Sequence, residues 1–368
     1  MRLKPVKILS HLCRLILAAT FIVSGFVKSV DPWGTAMKVD EYLSIYGMEQ
    51  LSDLSMPFSI WMCGAELMMG LMLLFKVRIR LVSIFALLSM TFFTLLSLLS
   101  ATWLPVEDCG CFGEALKLTP WQTFAKNVVL LPMACVVWWR YRPDKILAFK
   151  PLEFVLMILF FSLSMSVGIY SYRHLPPVDF LPYKVGVNIL EAMQRSDDEA
   201  RAIPETVLVY RNKNNGKLRE FSLTDKEWQN SDKWEWVDTY TKDDEPLMQP
   251  TVVEFSIRDV EGDATMEILQ HTGKVYMFCM THVGGVGLAC HERFASAMRH
   301  AEQEGALSIC LTSRPLHEVT YYRFGEHEAR VYNVDASTLK TMLRANNGVV
   351  VLDNGTIVEK LNCNDIDF

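Results

Sequence analysis

Residues 81–103 read Leu-Val-Ser-Ile-Phe-Ala-Leu-Leu-Ser-Met-Thr-Phe-Phe-Thr-Leu-Leu-Ser-Leu-Leu-Ser-Ala-Thr-Trp, an apolar run without one charged side chain. A helix needs about 20 such residues to cross the hydrocarbon of a bilayer. The run is therefore read as a membrane span, and similar runs lie on either side of it at 8–27, 57–75, 120–139 and 152–171. Past Tyr172 the composition becomes that of a globular domain. The chain has 368 residues, room for two or three units. Residues 1–171 carry 15 Lys and Arg against 11 Asp and Glu, whereas residues 172–368 carry 21 against 31. The acidic excess of the second half argues against a nucleic-acid partner, which requires basic patches.

Lys and Arg in short loops set the orientation of spans. Arg2, Lys4 and Lys7 precede the first run; Lys76, Arg78 and Arg80 follow the second; Arg140, Arg142, Lys145 and Lys150 follow the fourth. With five spans all ten lie on one side, which is then cytoplasmic. The loops 28–56 and 104–119 and everything after Tyr172 face outward, so the expected location is the inner membrane with a periplasmic C-terminal domain. The basic flank of the first run also suits a signal peptide, but the run is long for one and more spans follow, so a retained anchor is expected.

Few polar residues fall within the spans. Arg14 is expected to snorkel to the cytoplasmic end. Glu66 lies well inside the second span, where a carboxylate is costly unless it is paired, protonated or facing a cavity. Lys28, at the outer end of the first span, is its expected partner, with Lys126 and Asn127 as alternatives. The pair is a functional candidate or an ion pair that only fixes helix packing.

The outward loop after residue 103 holds Asp108-Cys109-Gly110-Cys111-Phe112-Gly113. Two cysteines one residue apart on the oxidising side of a membrane suit redox exchange, because the small ring they would close favours a labile disulfide. Two thiolates are too few for a structural zinc site. A static disulfide or idle thiols are the plainer readings. Thr119-Pro120 is expected to cap and start the next span.

Three segments together carry a resemblance: Ser24-Gly25-Phe26-Val27-Lys28-Ser29-Val30-Asp31-Pro32, Gly64-Ala65-Glu66 followed by Gly70, and Asp108-Cys109-Gly110-Cys111-Phe112-Gly113. Over roughly residues 8–140 the chain resembles DoxX-like membrane proteins, and specifically the MauE branch. The resemblance implies a four-helix membrane bundle, with the fifth span as a tether. It also implies a membrane redox or disulfide role in protein maturation beside a thioredoxin-like partner, without implying that methylamine is handled here.

In the outer half, Glu205–Tyr210 and Lys217–Leu223 are expected to form strands around the turn Asn214-Asn215-Gly216, and Thr251–Ile257 a further strand. Lys274–Phe278 and Ala306–Thr312 read as buried strands separated by a helix near 288–304. A helix at Ser337–Ala345 and a hairpin of Val349–Leu352 and Thr356–Lys360 follow. That order is the one expected of a thioredoxin-like core, and residues 250–368 resemble membrane-tethered, redoxin-type domains. Two departures make the domain degenerate. Ten residues separate Cys279 from Cys290 where the family has Cys-x-x-Cys, and Asn347 stands where the family has a cis-proline, so that bond is expected to be trans. Cys279 is either a nucleophile near a helix N-terminus or a small buried hydrophobe, the reading preferred here. Cys310 is expected in the core, and Cys363 carries no signal. His282, His291 and Glu292 match no metal-ligand spacing.

The expected fold is thus an α-helical membrane bundle, a four-helix DoxX-like core plus a tether helix, followed by a soluble α/β thioredoxin-like domain. The expected units are 1–150, 151–172, a connector at 173–250, and 251–368. The expected function is a membrane redox protein assisting thiol–disulfide chemistry or maturation in the cell envelope, oxidoreductase-like if it is an enzyme. Cys109 and Cys111 form its redox pair and Glu66 and Lys28 its intramembrane polar pair. Its partners are the lipid bilayer and an extracytoplasmic client or redox protein, and a membrane quinone is the carrier that the architecture admits. The alternative is a non-catalytic scaffold whose outer domain binds an envelope partner. A transporter ranks behind both, because no inverted repeat is visible.

Overall fold

The computed structural model describes residues 3–103, 110–116, 118–142, 150–194, 206–213, 217–222, 225, 227–230, 233–241, 255–280 and 287–368. Five long helices make the N-terminal half: α1 (Leu3–Val30), α3 (Ser55–Phe75), α4 (Ile79–Thr102), α5 (Pro120–Tyr141) and α6 (Pro151–Arg173). α1 lies along α3, α4 lies along α5, and α6 packs on α3. Their shared core includes Leu17, Phe21, Leu73, Ala86, Ala134 and Phe160. The opposite faces leave Phe85, Leu88 and Phe92 of α4 and Val155, Ile158 and Leu159 of α6 exposed, the arrangement of a helix set whose outside meets lipid.

Among the described residues four helices are long and apolar enough to cross a membrane, spanning Lys7–Val30, Glu49–Phe75, Ile79–Thr102 and Pro151–Arg173. The five crossings expected from the sequence reduce to four on this measure. α5 matches the others in length, but Lys126, Asn127 and Arg140 thin its apolar run. It nevertheless runs beside α4, and its last residue, Tyr141, joins the apolar cluster of Cys13 and Val77. Its expected start is present: Thr119 accepts from the Gln122 backbone N–H at 3.3 Å while the Gln122 side chain accepts from the Thr119 N–H at 3.0 Å, a complete capping box ahead of Pro120.

Two local expectations are corrected. The stretch 28–56, read as a loop, contains helix α2 (Pro32–Ile45), started by Asp31 accepting from the Gly34 N–H at 3.0 Å with Pro32 in the first turn. Arg14 does not snorkel. It is buried, and its guanidinium donates to the carbonyls of Leu73 and Leu74, the latter at 2.7 Å. The last carbonyls of a helix lack intrahelical partners and carry partial negative charge, so a neighbouring cation is held there more strongly than by lipid headgroups.

The C-terminal half holds two sheets. Strands β1 (Thr206–Asn212), β2 (Leu218–Ser222) and β3 (Trp234–Thr241) form an antiparallel sheet in the order β2-β1-β3 around Leu208, Phe221 and Trp234. The expected hairpin is there, its turn Asn214–Gly216 lying outside the described residues; β3 was not expected. No strand covers 255–257, and residues 251–254 lie outside the described residues.

The larger sheet contains β4 (Arg258–Asp259), β5 (Gly262–Asp263), β6 (Lys274–Met280), β7 (Leu307–Thr312), β8 (Thr320–Phe324), β9 (His327–Asn333), β10 (Asn347–Asp353) and β11 (Thr356–Asn362). Its order is β11-β10-β6-β7-β9-β4-β5, with β8 on β9. β6, β7 and β9 run parallel, while β10 is antiparallel to β6 and closes a hairpin with β11. Helix α8 (Leu288–Gln303) links β6 to β7, and α9 (Ala336–Leu343) precedes β10; a short helix, α7 (Thr265–Leu269), precedes β6. β6 is buried on both faces, so it reads as an unbroken apolar run. Val275, Met277 and Cys279 enter the cluster on the α9 side, and Tyr276, Phe278 and Met280 enter the one on the α8 side. Part of the expected connector belongs here, since Tyr183 and Ile189 lie in the α9-side cluster and Asn188 donates to Asn354 O and Thr356 Oγ1, both at 3.1 Å.

The halves meet at the end of the bundle where α1 stops. Arg344, at the C-cap of α9 with φ 53°, is 1% exposed, and its Nε donates to Asp31 Oδ2 at 3.1 Å. Its Nη1 also reaches Met37 Sδ at 3.0 Å. Trp33 stacks on Tyr172 at 6.2 Å, and Asn364 donates to the Arg173 carbonyl at 2.7 Å. Removing one partner of a buried ion pair costs about 3–5 kcal/mol because the other charge stays uncompensated. Arg344→Met should therefore lower stability by about that amount, and adding Asp31→Asn should restore most of it, as read by thermal unfolding of the purified full chain.

Candidate functional site

The site is built from a close helix contact. Gly25 of α1 and Gly70 of α3 sit where a side chain cannot fit: a Cβ on Gly70 would come within 2.6 Å of the Ile22 nitrogen, and one on Gly25 would strike the backbone of Leu67. Small residues let two helix backbones approach in a membrane. That approach brings Lys28, near the end of α1, against Glu66 in the middle of α3, and Lys28 Nζ donates to Glu66 Oε2 with both side chains buried. The pairing expected from the sequence is thus present. The alternatives, Lys126 and Asn127, line the same cavity with other contacts. Lys126 Nζ lies 4.4 Å from the Phe112 ring centroid, and Asn127 donates to Phe93 O at 3.2 Å and Ser97 Oγ at 3.3 Å.

Around the pair is a cavity of about 290 Å³, walled by Phe21, Tyr42, Phe58, Met62, Met90 and Phe93 and reaching Gly110 and Cys111. Cys111 is fixed at its mouth by the Ser24 hydroxyl, which donates to the Cys111 carbonyl at 2.5 Å. Gly110 and Gly113 take φ values of 60° and 54°, and the Gly113 N–H donates to the Gly110 carbonyl at 3.1 Å. Left-handed backbone at both positions accounts for the glycines of Cys-Gly-Cys-Phe-Gly. Cys109 lies outside the described residues. Cys63, one helical turn before Glu66, shares its face; its thiol donates to Thr35 Oγ1 of α2 at 3.6 Å. The sequence places Cys63 in a span and expects it reduced, as it is, but did not assign it or Thr35 to this site, although the i, i+3 spacing from Glu66 was visible.

In the outer half the expected core cysteines are core. Cys279 is 1% exposed within β6, and burial pushes its thiol up to about 12; burial raises Cys310 also. At neutral pH neither supplies the thiolate that exchange needs. Cys290, in the first turn of α8, is joined to Cys363 by a disulfide, so the cysteine set aside as uninformative is a bridge partner. Their separation of 73 residues hid the pairing, which only the return of β11 to α8 brings about. The bridge lines a cleft of about 200 Å³ between the halves, beside Trp33, Tyr172, Asn346 and Asn347.

Residues 6–140 match the family model described as Methylamine utilisation protein MauE. The MauE match takes in α1 to α5 and so contains Lys28, Glu66, Cys109 and Cys111. It ends before α6, and the whole outer half lies beyond it. No curated protein and no solved structure matches the chain.

Two outcomes follow. Gly25→Leu should force α1 from α3 and separate Lys28 from Glu66. The loss is about 1–3 kcal/mol from overpacking alone, seen as a lower Tm in detergent, whereas Val129→Leu, on an exposed face of α5, should move Tm far less. Maleimide at neutral pH on the folded, unreduced protein should spare Cys279 and Cys310 and label them only after unfolding, as mapped by mass spectrometry.

Proposed function

We propose that this membrane protein carries out thiol–disulfide chemistry in the maturation of envelope proteins, with Cys109 and Cys111 as the pair that cycles. The observation that carries the reading is Cys111 pinned over a largely apolar cavity that holds the buried Lys28–Glu66 pair. A thiol loop at the mouth of such a cavity has a protein partner on one side and a proton-handling pair on the other. Glu66 accepts a proton released by thiol oxidation, and Lys28 holds its charge in place inside the bilayer. The MauE match supports a membrane protein of this kind; methylamine itself is not carried over.

The DoxX-like bundle, with α5 as a fifth crossing, is part of this reading. Its support is that α5 packs along α4 and connects the Cys111 end to the end holding Arg140. Lys76, Arg78, Arg140 and Lys150 then lie at the cytoplasmic end, and the outer domain, docked through Arg344, is periplasmic. The thioredoxin-like reading of that domain rests on its order β6, α8, β7, then α9, β10, β11, with β7-β6-β10-β11 adjacent in the sheet.

A second reading, the non-catalytic scaffold, is favoured by one observation. The outer domain keeps Cys279 and Cys310 buried and Cys290 and Cys363 joined, which suits a binding module. Acid trapping of native membranes followed by mass-tagging separates the two. The redox reading expects Cys109 and Cys111 as a mixed population that shifts with added oxidant or reductant, and maturation activity lost in Cys109→Ala/Cys111→Ala. A pair locked in one state under all conditions, with the double variant fully active, would leave the scaffold.

A further inference from the structure

Glu66 faces a second cavity. About 380 Å³ in volume, it lies between α3 and α4 and shares Met62, Glu66 and Phe93 with the one beneath Cys111. Its formation follows from the packing. α3 is engaged by α1 and α6, and α4 by α5, so the consecutive pair α3 and α4 is left with little mutual contact. Trp61 and Phe85 line this second cavity, and both are exposed on helices apolar enough to cross a membrane. The second cavity therefore opens sideways, at the level of the hydrocarbon. The two spaces form a route from the bilayer, past the Lys28–Glu66 pair, to Cys111.

The geometry points to a lateral binding site for a membrane quinone, with its ring at the Lys28–Glu66 pair and its isoprenoid tail leaving between α3 and α4. A ligand for this route needs an apolar tail, because its entrance is walled by Met68, Met69, Phe85 and Met157. Methionine is polarisable and adapts to flat rings. Its polar end must be small and uncharged, because Glu66, already paired with Lys28, stands where the two cavities meet and not at the membrane surface. A phospholipid headgroup is charged and belongs at that surface; a quinone carbonyl accepts from the Lys28 ammonium and, once reduced, takes its proton by way of the carboxylate. The volumes fall in the range of small-molecule sites.

The electron donor in this proposal rests on the thiol reading above. Two thiols lose two protons and two electrons and form one S–S bond. The quinone takes up both, and its two carbonyls become the two hydroxyls of a quinol.

The test uses the full chain in lipid nanodiscs with a photoreactive azidoquinone, competed by decylubiquinone. Labelling is expected on peptides covering 61–93 and to be displaced by the competitor. Ser89→Trp, which fills the lateral cavity, should cut it at least tenfold, and Glu66→Gln should weaken it without abolishing it. Val129→Trp, on an exposed face of α5, should leave it unchanged. Labelling that is absent, that survives Ser89→Trp, or that falls equally on exposed α6 would overturn the site. Displaceable labelling with thiols inert to every oxidant keeps the site and removes the thiol reading. Thiols that exchange with a small disulfide, with no azidoquinone between α3 and α4, remove the quinone and keep the thiols.

Discussion

Charge compensation at the C-terminal end of α1 governs the molecule. Lys28 and Asp31 are three residues apart and both buried, in a part of the chain where an uncompensated charge is intolerable. They are not paired with each other. Lys28 turns to Glu66 of α3, and Asp31 turns to Arg344 of the outer domain. The first pair joins the two helices whose glycines allow close approach, and so sets the cavity. The second fixes the C-terminal domain to the same end of the bundle. Asp31 also starts α2, so one carboxylate serves both a helix cap and a domain contact.

The outer domain is arranged to present the end that docks. Its central strand β6 is covered on both faces, α9 on one and α8 on the other, and both helices contribute to the cleft or contact facing the bundle. Arg344 stands at the end of α9 in left-handed backbone, and Cys290 stands at the start of α8. A docking residue and a disulfide from opposite faces of one sheet thus reach the same end of the bundle, Arg344 at Asp31 and the bridge beside Trp33 and Tyr172. The thiols that remain within the sheet are buried too deeply to ionise at neutral pH.

What the sequence discloses is what period and local chemistry encode. The uncharged run at 81–103, the turn and cap at Thr119-Pro120, and the alternation of strand and helix from Lys274 onward are all local, and all are present. The Lys28–Glu66 pair was legible because a carboxylate inside a span demands a partner and few cations were available. Helix α2 was hidden by its mixed composition, since it borders the cavity on one side and is partly exposed on the other. β8 and β9 were hidden between two stronger strands. The Cys290–Cys363 bridge and the Asp31–Arg344 contact join residues 73 and 313 positions apart, and nothing in either neighbourhood points to the other. Arg14 was misread because its partners are backbone carbonyls, which no side-chain pattern reveals.

The outer domain has two attachments of different kinds: the chain itself through α6, and the contact set around Arg344. A covalent connection turns docking into an intramolecular event, with an effective concentration on the order of millimolar for a short link. An interface with a free-standing Kd of about 1 mM, worth about 4 kcal/mol, would be ineffective between separate molecules. Held by α6 at that effective concentration, such an interface would be occupied about half the time. The tether thus lets a contact set too weak to join separate molecules hold the domain against the bundle, with no risk of losing the domain to the surroundings.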